Sequence, residues 1–143
     1  MKLYSLFLAM FFAVMLFAVL LVSVGVDFHQ PLPAQGASLY NAANEVSMKG
    51  VVSEVRDFAC PVSEGEMGTH VMLQTSDGVV QVHLAPSRIM RSQQLKFAPG
   101  EEITVLGSKV RMFGHNDIIA RQIVRGNEQL FFRDTEGKLM LVQ

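Results

Sequence analysis

The residues that could do chemistry in this 143-residue chain are sulfur and imidazole donors. His70, Met72, Gln74, Gln81 and His83 recur at alternate positions in Thr69 to Ala85, while Cys60, Met67 and His115 lie in neighbouring connections. Thiolate, thioether and imidazole together suit soft metals such as Cu(I), or haem iron. No tight ligand spacing of the C-x-x-C or H-x-x-x-H kind accompanies them. The leading expectation is therefore a binding face formed by His70, Met72, Gln74, Gln81, His83 and His115, with no resident cofactor. The alternative is a copper or haem site drawn from Cys60, Met67, His70, Met72 and His83. Cys60 is the single cysteine, so no internal disulfide forms. It can be a small buried residue, a soft-metal ligand or half of an intermolecular disulfide. A Cys60–His70 nucleophile and base can be drawn. Ser63, Ser76, Ser87 and Ser108 have no visible His–acid partners, however, and no catalysis is expected.

The donors of Thr69 to Ala85 need a hairpin to bring them together. Asp77-Gly78 is a strong turn signal, since glycine tolerates the positive φ of a tight primed turn. A two-residue turn there pairs Ser76 with Val79, Leu73 with Val82 and Val71 with Leu84. Val71, Leu73, Val80, Val82 and Leu84 then share an inward face, and a one-residue slip would expose half of them. The same register sets Met72 opposite His83, close enough to share one ion.

The rest of the chain reads as an anchor, a tether and one domain. Leu3 to Val26 carries no charge and is long enough to cross a bilayer as helix. Residues 1–26 are expected to be a transmembrane signal anchor, with a cleaved signal peptide as the alternative. Lys2 favours an inside N-terminus and an exported, periplasmic remainder on the cytoplasmic membrane, or a secreted one if cleavage occurs. Pro31, Pro33 and Gly36 make 27–44 an extended tether, with Leu39 to Asn44 as a helical turn or a lead-in.

The domain spans 45–143. Strands are expected at Glu45 to Phe58 (bent at Gly50), in the hairpin, at Glu102 to Met112 (with a bulge at Gly107) and at Asp117 to Arg125. A short helix falls within Pro86 to Phe97, with Ile89, Met90 and Leu95 on its apolar side. Gln129 to Arg133 and Leu139 to Val142 read as a final strand pair. Five strands with a helix between the third and fourth predict an all-β, OB-fold-like antiparallel barrel, with a generic small sandwich as the alternative.

GSKVRM, then DIIARQIVRGNEQLFFRDTEG, resembles the C-terminal half of small exported bacterial OB-fold-like proteins of uncharacterised function. Gly50-Val51-Val52 and Val82-His83-Leu84-Ala85-Pro86 fit the same pattern. The resemblance covers roughly Val46 to Lys138, implies the fold and export, and brings no active site. A looser likeness is to the membrane-anchored haem chaperones of cytochrome c maturation. Their haem-attaching histidine is followed by a tyrosine, whereas here the last histidine, His115, has none after it.

Such folds bind along strands two and three and the adjoining loops, so the expected occupant is a protein or small ligand. Nucleic acid is not expected: 12 Lys and Arg are balanced by 13 Asp and Glu, and the hairpin face offers no Phe, Tyr or Trp for base stacking. Fractionation after bacterial expression tests the address. The product should sediment with membranes and be released by detergent; a full-length soluble cytoplasmic product would refute the anchor.

Overall fold

The computed structural model describes residues 39–141 together with Leu8 and Met10, two helical positions. Apart from those two positions, the expected anchor lies outside the described residues, as does most of the tether. Among the described residues no helix is long and apolar enough to cross a membrane. The chain divides into two units, Met1–Leu32 and Pro33–Gln143, and every strand described lies in the second.

A 3-10 turn, Ala42–Asn44, leads into β1 (Glu45–Ala59). A second 3-10 turn, Pro61–Ser63, separates β1 from β2 (Met67–Thr75), and β3 (Gly78–Pro86) follows. Helix α1 (Ser87–Ser92) precedes β4 (Glu102–Met112), β5 (His115–Arg125) and β6 (Glu128–Phe131). The sheet order is β3-β2-β1-β4-β5-β6, and β3 also pairs with β5. That extra pairing closes the first five strands into a ring. The expectation of antiparallel strands holds for every pair except β3–β5, which is parallel, with Val82 beside Ile118 and His83 beside Ile119.

β1 serves both halves of the ring, pairing with β4 through Glu45–Val51 and with β2 through Val51–Ala59. The bend expected at Gly50 is displaced: the register shifts between Val52 and Glu54. Gly107 does sit at a shift in the β4–β5 ladder. A Cβ there would collide with the Ile119 carbonyl oxygen and lie 2.8 Å from the Ile118 Cγ2, so only glycine lets β4 approach β5 so closely.

Inward residues of all five strands fill the ring, among them Val52, Val71, Leu73, Val82, Leu84, Ile103, Val105, Ile118 and Ile123. Burying each stabilises the fold by roughly 1.5–3 kcal/mol before chain entropy is counted. α1 adds Met90 to this core, and Leu95 packs against it.

Two sequence expectations need correction. The hairpin turns through Ser76-Asp77, so Thr75 pairs with Gly78, Leu73 with Val80 and Val71 with Val82. The Thr75 hydroxyl accepts from the Asp77 N–H (3.2 Å) and donates to the Gly78 carbonyl (2.8 Å). Gly78 takes its positive φ (122°) as the first residue of β3. Every side chain keeps its face, but the partners change: His83 stands opposite His70, and Met72 opposite Gln81. The terminal pair also differs, since β6 joins β5 instead, leaving a single bridge between Arg133 and Leu139.

Gly107→Ala should destabilise the domain by about 1–3 kcal/mol, the usual penalty of overpacking. Urea unfolding measures it, and an unchanged midpoint would show that β4 and β5 can separate there without loss.

Candidate metal centre

Local sequence explains how Cys60 arrives. β1 ends at Ala59, and Pro61 suits the first position of a helical turn. The Cys60 carbonyl accepts from the backbone N–H groups of Ser63 and Gly65 (both 3.1 Å). This turn folds over the outer side of β2. Gly68 permits the approach, because a Cβ there would overlap the Ser63 Oγ and press on the His70 ring. The Cys60 thiol thereby lies 3.2 Å from His70 Nε2 and 3.5 Å from Ser63 Oγ.

β2 and β3 supply the two imidazoles as directly opposed partners. Their rings meet edge to face at 4.6 Å, and Phe58 of β1 stacks on His70 at 3.7 Å and 9°. The parallel β3–β5 pairing carries Asp117 alongside: its Oδ2 lies 2.9 Å from His83 Nε2. Gln81 donates to the same carboxylate at 3.0 Å. Tyr40, Val62, Met112 and Ile119 form an apolar cluster with Cys60, joined at its edge by Phe58 and Val110.

The resulting group is Cys60, His70 and His83, all buried, with donor atoms within 4.8 Å of one another. His70 Nδ1 and His83 Nδ1 are buried without a hydrogen-bond partner among the described residues. Burial pushes the Cys60 thiol up, but His70, His83 and Ser63 beside it outweigh that and lower its pKa to about 5. A buried group biased toward thiolate with two imidazoles converging on it has the chemistry of a soft-metal ligand set.

A model of the MamS/MamX magnetosome protein family matches residues 44–130. The chain belongs to the MamS/MamX magnetosome protein family. The span this family model matches holds Cys60, His70, His83 and Asp117 and ends before Arg133. No curated protein is detectably similar to the chain. Among solved structures, a chain of the S. pombe Stn1-ten1 complex is similar at 14% identity with a TM-score of 0.46. That match covers 59% of this chain and 59% of that one. An OBody, AM1L10, bound to hen egg-white lysozyme is similar at 15% identity with a TM-score of 0.45, over 64% of this chain and 85% of the other. At these scores neither likeness bears on function.

In this MamS/MamX-family chain the expected binding face divides. His70 and His83 come together with Cys60, and Gln81 joins them through Asp117. They are covered rather than open, because Phe58 and the Pro61–Ser63 turn close over them. Met72 is half-buried two rungs away, opposite Gln81, and is not the partner of His83. Gln74 and Met67 are exposed, and His115 is exposed at the start of β5, paired with Met112. Asp117 and Phe58 went unrecognised in the sequence, and Ser63 was weighed there only as a serine without His–acid partners. A lone carboxylate heading the apolar run Ile118-Ile119-Ala120 was the available signal for Asp117.

The depressed Cys60 value sets a pH dependence for the metal-free protein. Its thiolate is favoured by the fold, so the stabilisation is fully present above the ordinary thiol range of about 8.5. It is lost as pH falls through about 5, since in that window the unfolded chain binds the extra proton. Ultraviolet titration of the thiolate should show a midpoint near 5, and Cys60→Ser should flatten the stability slope across the window. A midpoint at the ordinary value would remove the electrostatic account of the site.

Proposed function

We propose that this MamS/MamX-family chain is a non-catalytic metal-binding module that holds one Cu(I) ion between Cys60, His70 and His83. The observation that carries the reading is the buried convergence of Cys60, His70 and His83 donor atoms within 4.8 Å of one another, with His83 Nδ1 left unpartnered. Buried polar atoms are nearly always paired, and an ion is one of the few explanations for the exception at His83 Nδ1. Asp117 strengthens it. A metal-ligating histidine characteristically gives its other ring N–H to a carboxylate, and His83 Nε2 meets Asp117 while its Nδ1 remains free. One thiolate and two imidazoles suit Cu(I), whereas structural zinc sites almost always take four protein ligands.

Copper is favoured over haem because the three donors converge within 4.8 Å of one another and are buried beneath Phe58 and the Pro61–Ser63 turn, which suits a single ion rather than a macrocycle. The same cover argues against strands β2 and β3 as a nucleic-acid groove. The ring closed by β3–β5 pairing, with α1 between β3 and β4, supports an OB-fold barrel as the scaffold. Export on an N-terminal anchor, and a magnetosome address suggested by the family's name, complete the proposal.

Titration of the metal-free full chain in detergent tests it. Cu(I) should bind at one equivalent and more tightly than Zn(II). Cys60→Ser and His83→Gln should abolish binding, Asp117→Asn should weaken it about 10- to 100-fold, and His115→Gln should leave it unchanged. Tighter zinc binding would overturn the copper assignment, and equal losses in His115→Gln would overturn the site.

A further inference from the structure

Behind the Pro61–Ser63 turn lies a cavity of about 220 Å³, lined by Val62, Ser63, Pro86, Arg133, Lys138 and Leu139 among others. It contains none of the three metal donors. Arg133 is 2% exposed, and its Nη1 donates to the carbonyls of Leu84 and Ala120, both at 2.6 Å. Those two bonds fix the guanidinium plane. Its Nε–H and Nη2–H groups have no acceptor among the described residues, and no described carboxylate forms an ion pair with it. Burial holds Arg133 well below the ordinary arginine range, at about 10, offset in part by Tyr40 and Cys60.

A buried cation with an open side is unfavourable until an anion meets it. The Nε/Nη2 edge of a guanidinium is a fork that accepts a carboxylate through two parallel hydrogen bonds. The charges on the lining favour an anion too. Arg88, Arg133 and Lys138 face Glu64 and Glu66, and Glu66 is already paired with Arg88 at 2.9 Å. The volume is below the roughly 300–1,000 Å³ of pockets for drug-sized ligands, so the occupant is small.

We propose that this cavity is a binding site for a small carboxylate, held by the free edge of Arg133 with Lys138 at its side. The carboxylate can be a free organic acid or the C-terminal group of a peptide, and the site does not depend on the copper reading.

The test uses the metal-free full chain in detergent and follows the Arg133 Nε–H resonance by NMR. Acetate and succinate should shift it saturably, and acetamide, the neutral isostere of acetate, should not. A short peptide acid should bind and its amidated twin should not; whichever of peptide acid and free acid binds more tightly names the source. Lys138→Gln should weaken binding several-fold, and Arg133→Lys, which keeps the charge but not the fork, by about tenfold or more. An equal shift with acetamide, absence of saturation, or tighter binding of inorganic phosphate would overturn the proposal. So would unchanged affinity in folded Arg133→Lys. If that variant does not fold, the contrast between acetate and acetamide on the unaltered chain decides.

Discussion

The pairing of β3 with β5 is the contact on which the rest of the domain depends. It involves two residue pairs, Val82 with Ile118 and His83 with Ile119, yet it turns a sheet with two free edges into a ring. Beyond His83 the strands diverge, and β6 takes over the same edge of β5 from Gln122 onward. The gap between these two partners falls at Ala120. There Arg133 donates to one carbonyl from each strand, Leu84 and Ala120, in place of the missing ladder bonds. Unpaired carbonyls buried at that point would each forfeit a hydrogen bond, which explains why a long cation is drawn into an otherwise apolar interior.

The same closure makes the outer side of β2 and β3 unlike an ordinary sheet face. One side packs the ring's core, and the other is roofed by Phe58, Val62, Met112 and Ile119. Polar groups beneath this roof lose water, so they must satisfy each other. His83 finds Asp117, and Cys60 finds His70 and Ser63. What the protein groups leave over is two imidazole nitrogens. The candidate metal centre is thus a product of burial on both faces, not of a ligand motif.

The Pro61–Ser63 turn joins the two candidate sites. On one side it delivers Cys60 and Ser63 to the histidines, and on the other Val62 and Ser63 line the cavity at Arg133. Gly68 sets how closely this turn can sit on β2. Any event that shifts the turn would be felt at both places.

Periodicity and punctuation along the chain were enough to specify the first five strands, the helix after β3 and the division of hairpin residues between two faces. Val71, Leu73, Val82 and Leu84 point inward, and His70 and His83 outward, because side-chain alternation is a local property. The export anchor at Leu3 to Val26 remains an expectation that the described residues do not test. Which residues meet was readable only in part: Cys60, His70 and His83 were grouped as a soft-metal alternative, but their true partners were not. A threonine cap moved the hairpin turn by one residue, so His83 faces His70 rather than Met72. Asp117 reached His83 through a pairing between strands more than 30 residues apart. Cys60 became a partner of His70 because a turn folded back, and Arg133 became buried because two strands part company. Such contacts depend on loop closure and on ladders between distant segments, and no local pattern encodes them.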